Sequence, residues 1–263
     1  MSGQKPLRRL VGGPLPWIAV LFVGVLAGMP ATRPFFAWAF PDVDPPIYSG
    51  DTFAALWLSH AILVAAASLV SIVLAVSVGI FVTRPEGRDF RAMADAAATI
   101  GQSFPPVAVL ALAVPAMGYG AGPTFMALTI YGLLPILENT IAGLENVPPP
   151  VREAAKGMGM SPGQMLYRVD LPLAAPTILA GIRTSVIVNI GTAAIGSTVG
   201  AITLGTPIID GLVADKLPYV IQGAVVVGTF AVLTDQAFER LDRYLRHRAA
   251  PAADRAALKT TPA

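Results

Sequence analysis

Residues 151–176, VREAAKGMGMSPGQMLYRVDLPLAAP, decide how the rest of the chain is placed. The stretch carries Arg152, Glu153, Lys156, Arg168 and Asp170, yet it lies between two long apolar segments. Pro148, Pro149 and Pro150 precede it, and Leu171-Pro172 closes it. Proline suits the first turn of a helix and not its interior, so a short helix is expected to start near Pro150. Gly157 and Gly159 then loosen the backbone. Ser161 with Gln164 three residues on is a capping box, and Pro162 stands where a first helical residue should. The expectation is two short helices joined by a glycine turn, a polar segment held at a membrane surface by its apolar flanks.

Composition supports the membrane. The chain is 263 residues long and 54% hydrophobic, with only 13% Asp, Glu, Lys and Arg. Soluble domains carry about 25%. A mean hydropathy of +0.65 points the same way. The net charge is only +2, so the pI near 9.0 gives no support to nucleic-acid binding. The absence of cysteine excludes disulfides and thiolate metal sites. Basic residues before the first apolar run resemble a signal peptide, but more spans follow, so this run reads as an uncleaved first span.

A spanning helix needs about 20 apolar residues. On that measure the first span runs from Leu10 to Met29, and the Pro- and Asp-rich residues 30–51 form an aqueous loop. Residues 52–83 are uncharged and give the second span; His60 within it reads as a packed or interfacial residue. After the basic turn RPEGRDFR (84–91), residues 96–137 hold spans three and four, joined at the glycine-rich Gly118–Pro123 turn. Pro105-Pro106 should kink or begin span three, and Pro135 should bend span four. Span five follows Pro176. Residues 200–218 read as a loop or partial re-entry, and Tyr219–Thr234 is span six. With six spans, 15 of the 18 Lys and Arg fall on one side, which places both termini and the 151–176 loop in the cytoplasm.

No catalytic constellation is present. The chain has no GxxxxGK[ST] and no HExxH. It is therefore read as non-catalytic, without cofactor or metal, so that energy for uphill transport must enter through another subunit. Glu138 and Arg183 are the ionisable groups nearest membrane depth. They read either as an ion pair between spans four and five at the inner mouth or as two side chains snorkelling separately. Asn139, Thr140, Asn189, Thr192 and Ser197 are polar positions in spans four and five, for helix packing or for lining a pathway.

The loop also carries a resemblance. Glu153-Ala154-Ala155, three residues, Gly159, nine residues, Val169, one residue, Leu171-Pro172 resembles the EAA loop of ABC importer permeases, with Val169 where that pattern has Ile. The resemblance implies an all-helical type I importer permease fold of six transmembrane helices, with both termini in the cytoplasm, in a bacterial inner membrane. It implies that Glu153, Ala154, Ala155, Gly157, Gly159, Leu171 and Pro172 couple the chain to cytoplasmic ABC ATPase subunits. It also implies an extracytoplasmic solute-binding protein and a second permease subunit, the same chain or a relative. Residues 50–237 would form the permease domain, with 1–49 and 238–263 flanking it.

Within that family the chain is most similar to the osmoprotectant group, importers of glycine betaine, carnitine or choline. Residues 131–140 (YGLLPILENT), 156–160 (KGMGM) and 181–193 (GIRTSVIVNIGTA) carry the likeness. Two positions depart from it. Glu138 stands where relatives often have a basic residue, and residues 200–205, GAITLG, lack two glycines of the relatives' GAGGLG, which should stiffen that loop. Rival readings are a permease for a sulfonate, phosphonate or amino acid, an ion-coupled secondary transporter, and a non-transporting scaffold.

Overall fold

The computed structural model describes residues 13–257, and among these all regular structure is helical. The Leu10 start of the first span and the basic residues before it lie outside the described residues. Helix α1 (Leu15–Gly28) starts on Pro14 and Pro16; a 3-10 turn (Met29–Thr32) and α2 (Arg33–Ala39) continue it. The expected loop therefore begins only after Ala39. Pro30 and Pro34 do not stop the helix, because each occupies the first turn of a new helical segment. α3 (Phe53–Val82) has 30 residues, about 45 Å at 1.5 Å per residue. A hydrocarbon layer of about 30 Å is crossed with length to spare.

Expected span three is broken. α4 (Arg91–Ser103) and α5 (Pro106–Met117) are separated by Phe104 and Pro105, both extended, with ψ of 140° and 138°. Each of these two residues precedes a proline, whose ring disfavours the helical conformation of its neighbour. α6 (Ala121–Glu145) follows, and then α7 (Pro149–Gly157) and α8 (Pro162–Met165). A π-turn (Leu166–Asp170) leads straight into α9 (Leu171–Ile195). Leu171-Pro172 thus opens a membrane helix rather than closing a loop, and that helix starts before Pro176 instead of after it. A 3-10 turn (Gly196–Val199), α10 (Thr206–Val213) and α11 (Leu217–Ala257) complete the chain. The expected sixth span, Tyr219–Thr234, is the core of a helix that continues into the basic tail. Among the described residues five helical stretches are long and apolar enough to cross a membrane, and six if the broken α4–α5 pair counts as one span.

The chain forms two compact units. The first comprises the chain through Ala67, Pro105–Leu128 and Ile187–Ala237. Its core is aromatic: Phe22, Phe36, Tyr48, Phe53 and Tyr219 are buried with Leu56, Leu204 and Val226. Phe22, Trp57 and Phe230 meet ring to ring at 5.7–6.2 Å between centroids. The second unit comprises Ser68–Phe104, Thr129–Val186 and the chain from Phe238. Its core is aliphatic, with Ala75, Val82, Ile136, Leu137 and Ile141, and a further cluster of Leu144, Ala174 and Ile178. Trp17, Trp38, Leu58 and Leu69 are exposed, as lipid-facing side chains should be.

Candidate functional site

The 149–172 loop lies in the second unit. Pro148 is extended, and Pro149 and Pro150 fill the first turn of α7, where a missing N–H costs nothing. Glu153 and Ala154 are exposed, whereas Ala155 is buried. Gly157 is the last residue of α7, and a Cβ there would meet nothing. Gly159 is different. Its φ is +77°, the left-handed region that costs an L-residue about 1–2 kcal/mol. Met160 N–H returns to the Ala155 carbonyl at 3.2 Å across this turn. The capping box closes as expected: Gln164 N–H donates to Ser161 Oγ at 3.3 Å, and Ser161 N–H to Gln164 Oε1 at 3.0 Å. The π-turn has a local cause in Pro172, which lacks an N–H and crowds the carbonyl four residues earlier.

One functional group escaped the sequence reading. Asp170, fully buried in the π-turn, holds two arginines. Arg152 Nε donates to its Oδ1 at 2.9 Å, and Arg84 Nη1 lies 2.9 Å from its Oδ2. Arg152 Nη2 also donates to the Leu144 carbonyl at 2.6 Å, one of the carbonyls that the end of α6 leaves without an intrahelical partner. A buried charge needs such partners, since an unpaired one at membrane depth costs about 2.5–3.5 kcal/mol. The only signal in the sequence was a lone carboxylate between Val169 and Leu171, at the mouth of an apolar helix. Beside the triad, Thr83, Arg88, Arg91, Glu145 and Arg152 line a cavity of about 220 Å³, across which Arg91 pairs with Glu145.

The other candidate residues fall into place unevenly. Glu138 is exposed and Arg183 half-buried, and none of the described ion pairs joins them. Asn139 Nδ2 donates to the Pro135 carbonyl at 2.8 Å, and Thr140 Oγ1 to the Ile136 carbonyl at 2.7 Å. Pro135 leaves the Tyr131 carbonyl without its helical donor; Gln102 Nε2 supplies one at 2.6 Å. Thr140 and Asn189 are fully buried, and Asn139, Thr192 and Ser197 half-buried.

In the first unit, the loop after α2 is strapped down by hydrogen bonds, most of them between neutral groups. Tyr48 N–H donates to Gln222 Oε1 at 3.0 Å, and Gln222 Nε2 to the Pro46 carbonyl at 2.8 Å. Tyr219 Oη donates to the Pro45 carbonyl at 3.0 Å, and Lys216 Nζ to the Asp44 carbonyl at 2.9 Å. Tyr48 Oη donates to Asp210 Oδ2 at 3.0 Å. Burial, and then this carboxylate, push the Tyr48 phenol up to about 12. Ser197 Oγ lies 2.8 Å from Thr203 Oγ1 and helps fasten the 200–206 loop, whose Leu204 N–H donates to His60 Nδ1 at 3.3 Å. His60 is thus a packed residue, fully buried with its ring edge-on to Phe230.

Comparison with known proteins places this geometry. Residues 72–247 match the family described as binding-protein-dependent transport system inner membrane component. The osmoprotectant import permease protein OsmY of Salmonella typhimurium is 38% identical over 176 residues, 67% of this chain and 75% of that one. The choline transport system permease protein OpuBB of Bacillus subtilis is 40% identical over 178 residues, 65% of this chain and 82% of that one. Among solved structures, an inward-facing form of the MetNI methionine ABC transporter superposes with a TM-score of 0.64 at 21% identity, covering 75% of this chain and 99% of that one. The likeness is one of fold.

Proposed function

Because the chain belongs to the binding-protein-dependent transport system inner membrane component family, we propose that it is the non-catalytic pore subunit of an ATP-driven importer, with α7 the point where a separate ATPase docks. The observation that carries this is the form of α7. A short helix between proline and glycine turns presents Glu153 and Ala154 outward while Ala155 is buried. Small side chains let a partner approach closely, and a stiff helix passes on the partner's closing as rigid-body motion. The count of basic residues puts this helix in the cytoplasm, where ATP is.

The pore is completed by a second permease subunit, the same chain or a relative, and solute arrives from an extracytoplasmic binding protein. ATP binding draws the two coupling helices together and opens the pore outward; hydrolysis resets it. Asn139, Thr192 and Ser197, which are only half-buried within the chain, are the candidates for the pathway, whereas Thr140 and Asn189 serve packing. The solute is an osmoprotectant of the glycine betaine, choline or carnitine kind, a reading supported by the names of relatives at 38–40% identity.

The test is uptake into vesicles carrying the complete transporter. Vanadate-sensitive uptake competed by choline or glycine betaine is expected; competition only by an amino acid, sulfonate or phosphonate would reassign the solute. Glu153→Lys should release the ATPase and abolish uptake. Undiminished ATPase binding and transport in that variant would reject the role of α7.

A further inference from the structure

The backbone alone attaches α7 loosely. Asn146–Pro148 on one side and Met158–Ser161 on the other are non-helical, so the nine-residue helix could tilt without moving what it is joined to. A lever of this kind needs side-chain fastenings. We propose that Asp170 is the positioning residue that makes α7 and the membrane helices move as one piece, with Arg152 as its main arm and Arg84 as its lesser arm. The proposal rests on the reading of α7 as the ATPase dock.

Three observations carry it. First, one carboxylate gathers four segments: Arg84 comes from the turn after α3, Arg152 from α7, the Leu144 carbonyl from the end of α6, and Asp170 itself immediately precedes α9. Second, Arg152 is the residue next to Glu153, so a push delivered at Glu153 reaches the Asp170 carboxylate through one peptide unit and one side chain. Third, the arms are unequal. Arg152 makes directed hydrogen bonds to both a carboxylate and a carbonyl. Among the described residues Arg84 makes one ionic contact, and its buried Nε and Nη2 have no hydrogen-bond partner there. The Arg84 arm is therefore the one that yields.

Purified transporter with its ATPase and binding protein, reconstituted in vesicles, gives the readout: solute moved per ATP hydrolysed, alongside the ATPase retained on the permease. Asp170→Asn is expected to lower that ratio about tenfold, within the usual range of coupling between sites, with the ATPase still attached. Arg152→Gln should approach this loss and Arg84→Gln should fall short of it. A triple variant, Asp170→Leu with Arg84→Met and Arg152→Met, removes every charge from the cluster. It should recover the yield of folded complex, because apolar replacement of a buried ion cluster is often tolerated, but not the ratio.

Recovery of the wild-type ratio in the triple variant would show a purely structural cluster and overturn the proposal. Arg152→Lys keeps the charge and loses the second grip, so it folds in either case and should lower the ratio; an unchanged ratio there also overturns it. Glu153→Lys separates the two layers. If it keeps both ATPase and ratio, the reading of α7 itself is wrong. If it uncouples the complex while the Asp170 variants transport normally, only the role of Asp170 fails.

Discussion

In the first unit the loop after α2 is held by Tyr48, Lys216, Tyr219 and Gln222 through neutral or singly charged hydrogen bonds spread over many residues. In the second unit α7 is held by one buried carboxylate shared between two guanidiniums. The difference is one of redundancy. A typical hydrogen bond contributes about 0.5–1.5 kcal/mol net, so a strap of several loosens by degrees. A buried ion cluster fails at once, because removing one member strands the others. A loop fastened by degrees can yield locally, whereas a lever has to be held rigidly.

The sharpest way to break this comparison is Asp170→Asn. It should destabilise the purified permease by about 3–5 kcal/mol in thermal unfolding, whereas a loss near 1 kcal/mol would put the two fastenings on the same footing. Gln222→Leu, its counterpart in the first unit, should cost about 1–3 kcal/mol, because Tyr48 N–H loses its acceptor in a buried place. Next comes a pair of alanines in the loop. Gly159→Ala should cost about 1–2 kcal/mol for its left-handed backbone. Gly157→Ala, helical and facing open space, should be neutral or stabilise by up to about 1 kcal/mol.

The smallest effect sharpens the comparison from the side of pH. The Tyr48 phenol ionises at about 12 in the folded protein against 10.0 for an unperturbed tyrosine. Its contribution to stability is complete below pH 10 and is lost as pH rises toward 12. Unfolding measured across that window should show a loss that Tyr48→Phe removes; an identical pH profile in the variant would count against the Asp210 contact.

Much of this was legible from the chain because its signals are local. Hydropathy located the membrane helices, and the order Pro149, Pro150, Gly159, Ser161, Gln164 dictated α7, its turn and the next cap within a few residues. The failures have physical causes as well. Pro30, Pro34 and Pro172 look like stops, but each falls in the first turn of a segment where helix continues. The Tyr48–Gln222 contact joins residues 174 apart in the chain, and the Arg84–Asp170 pair is also remote in sequence, so no window contains them.

Which side of the membrane α7 faces, and what covers it, decides its role. The natural chain has no cysteine, so Ala154→Cys carries a unique thiol. A membrane-impermeant maleimide should label it in inside-out vesicles stripped of ATPase, fail to label it when the ATPase is bound, and never reach it from outside intact cells. Labelling from outside, or labelling undiminished by bound ATPase, would contradict the account.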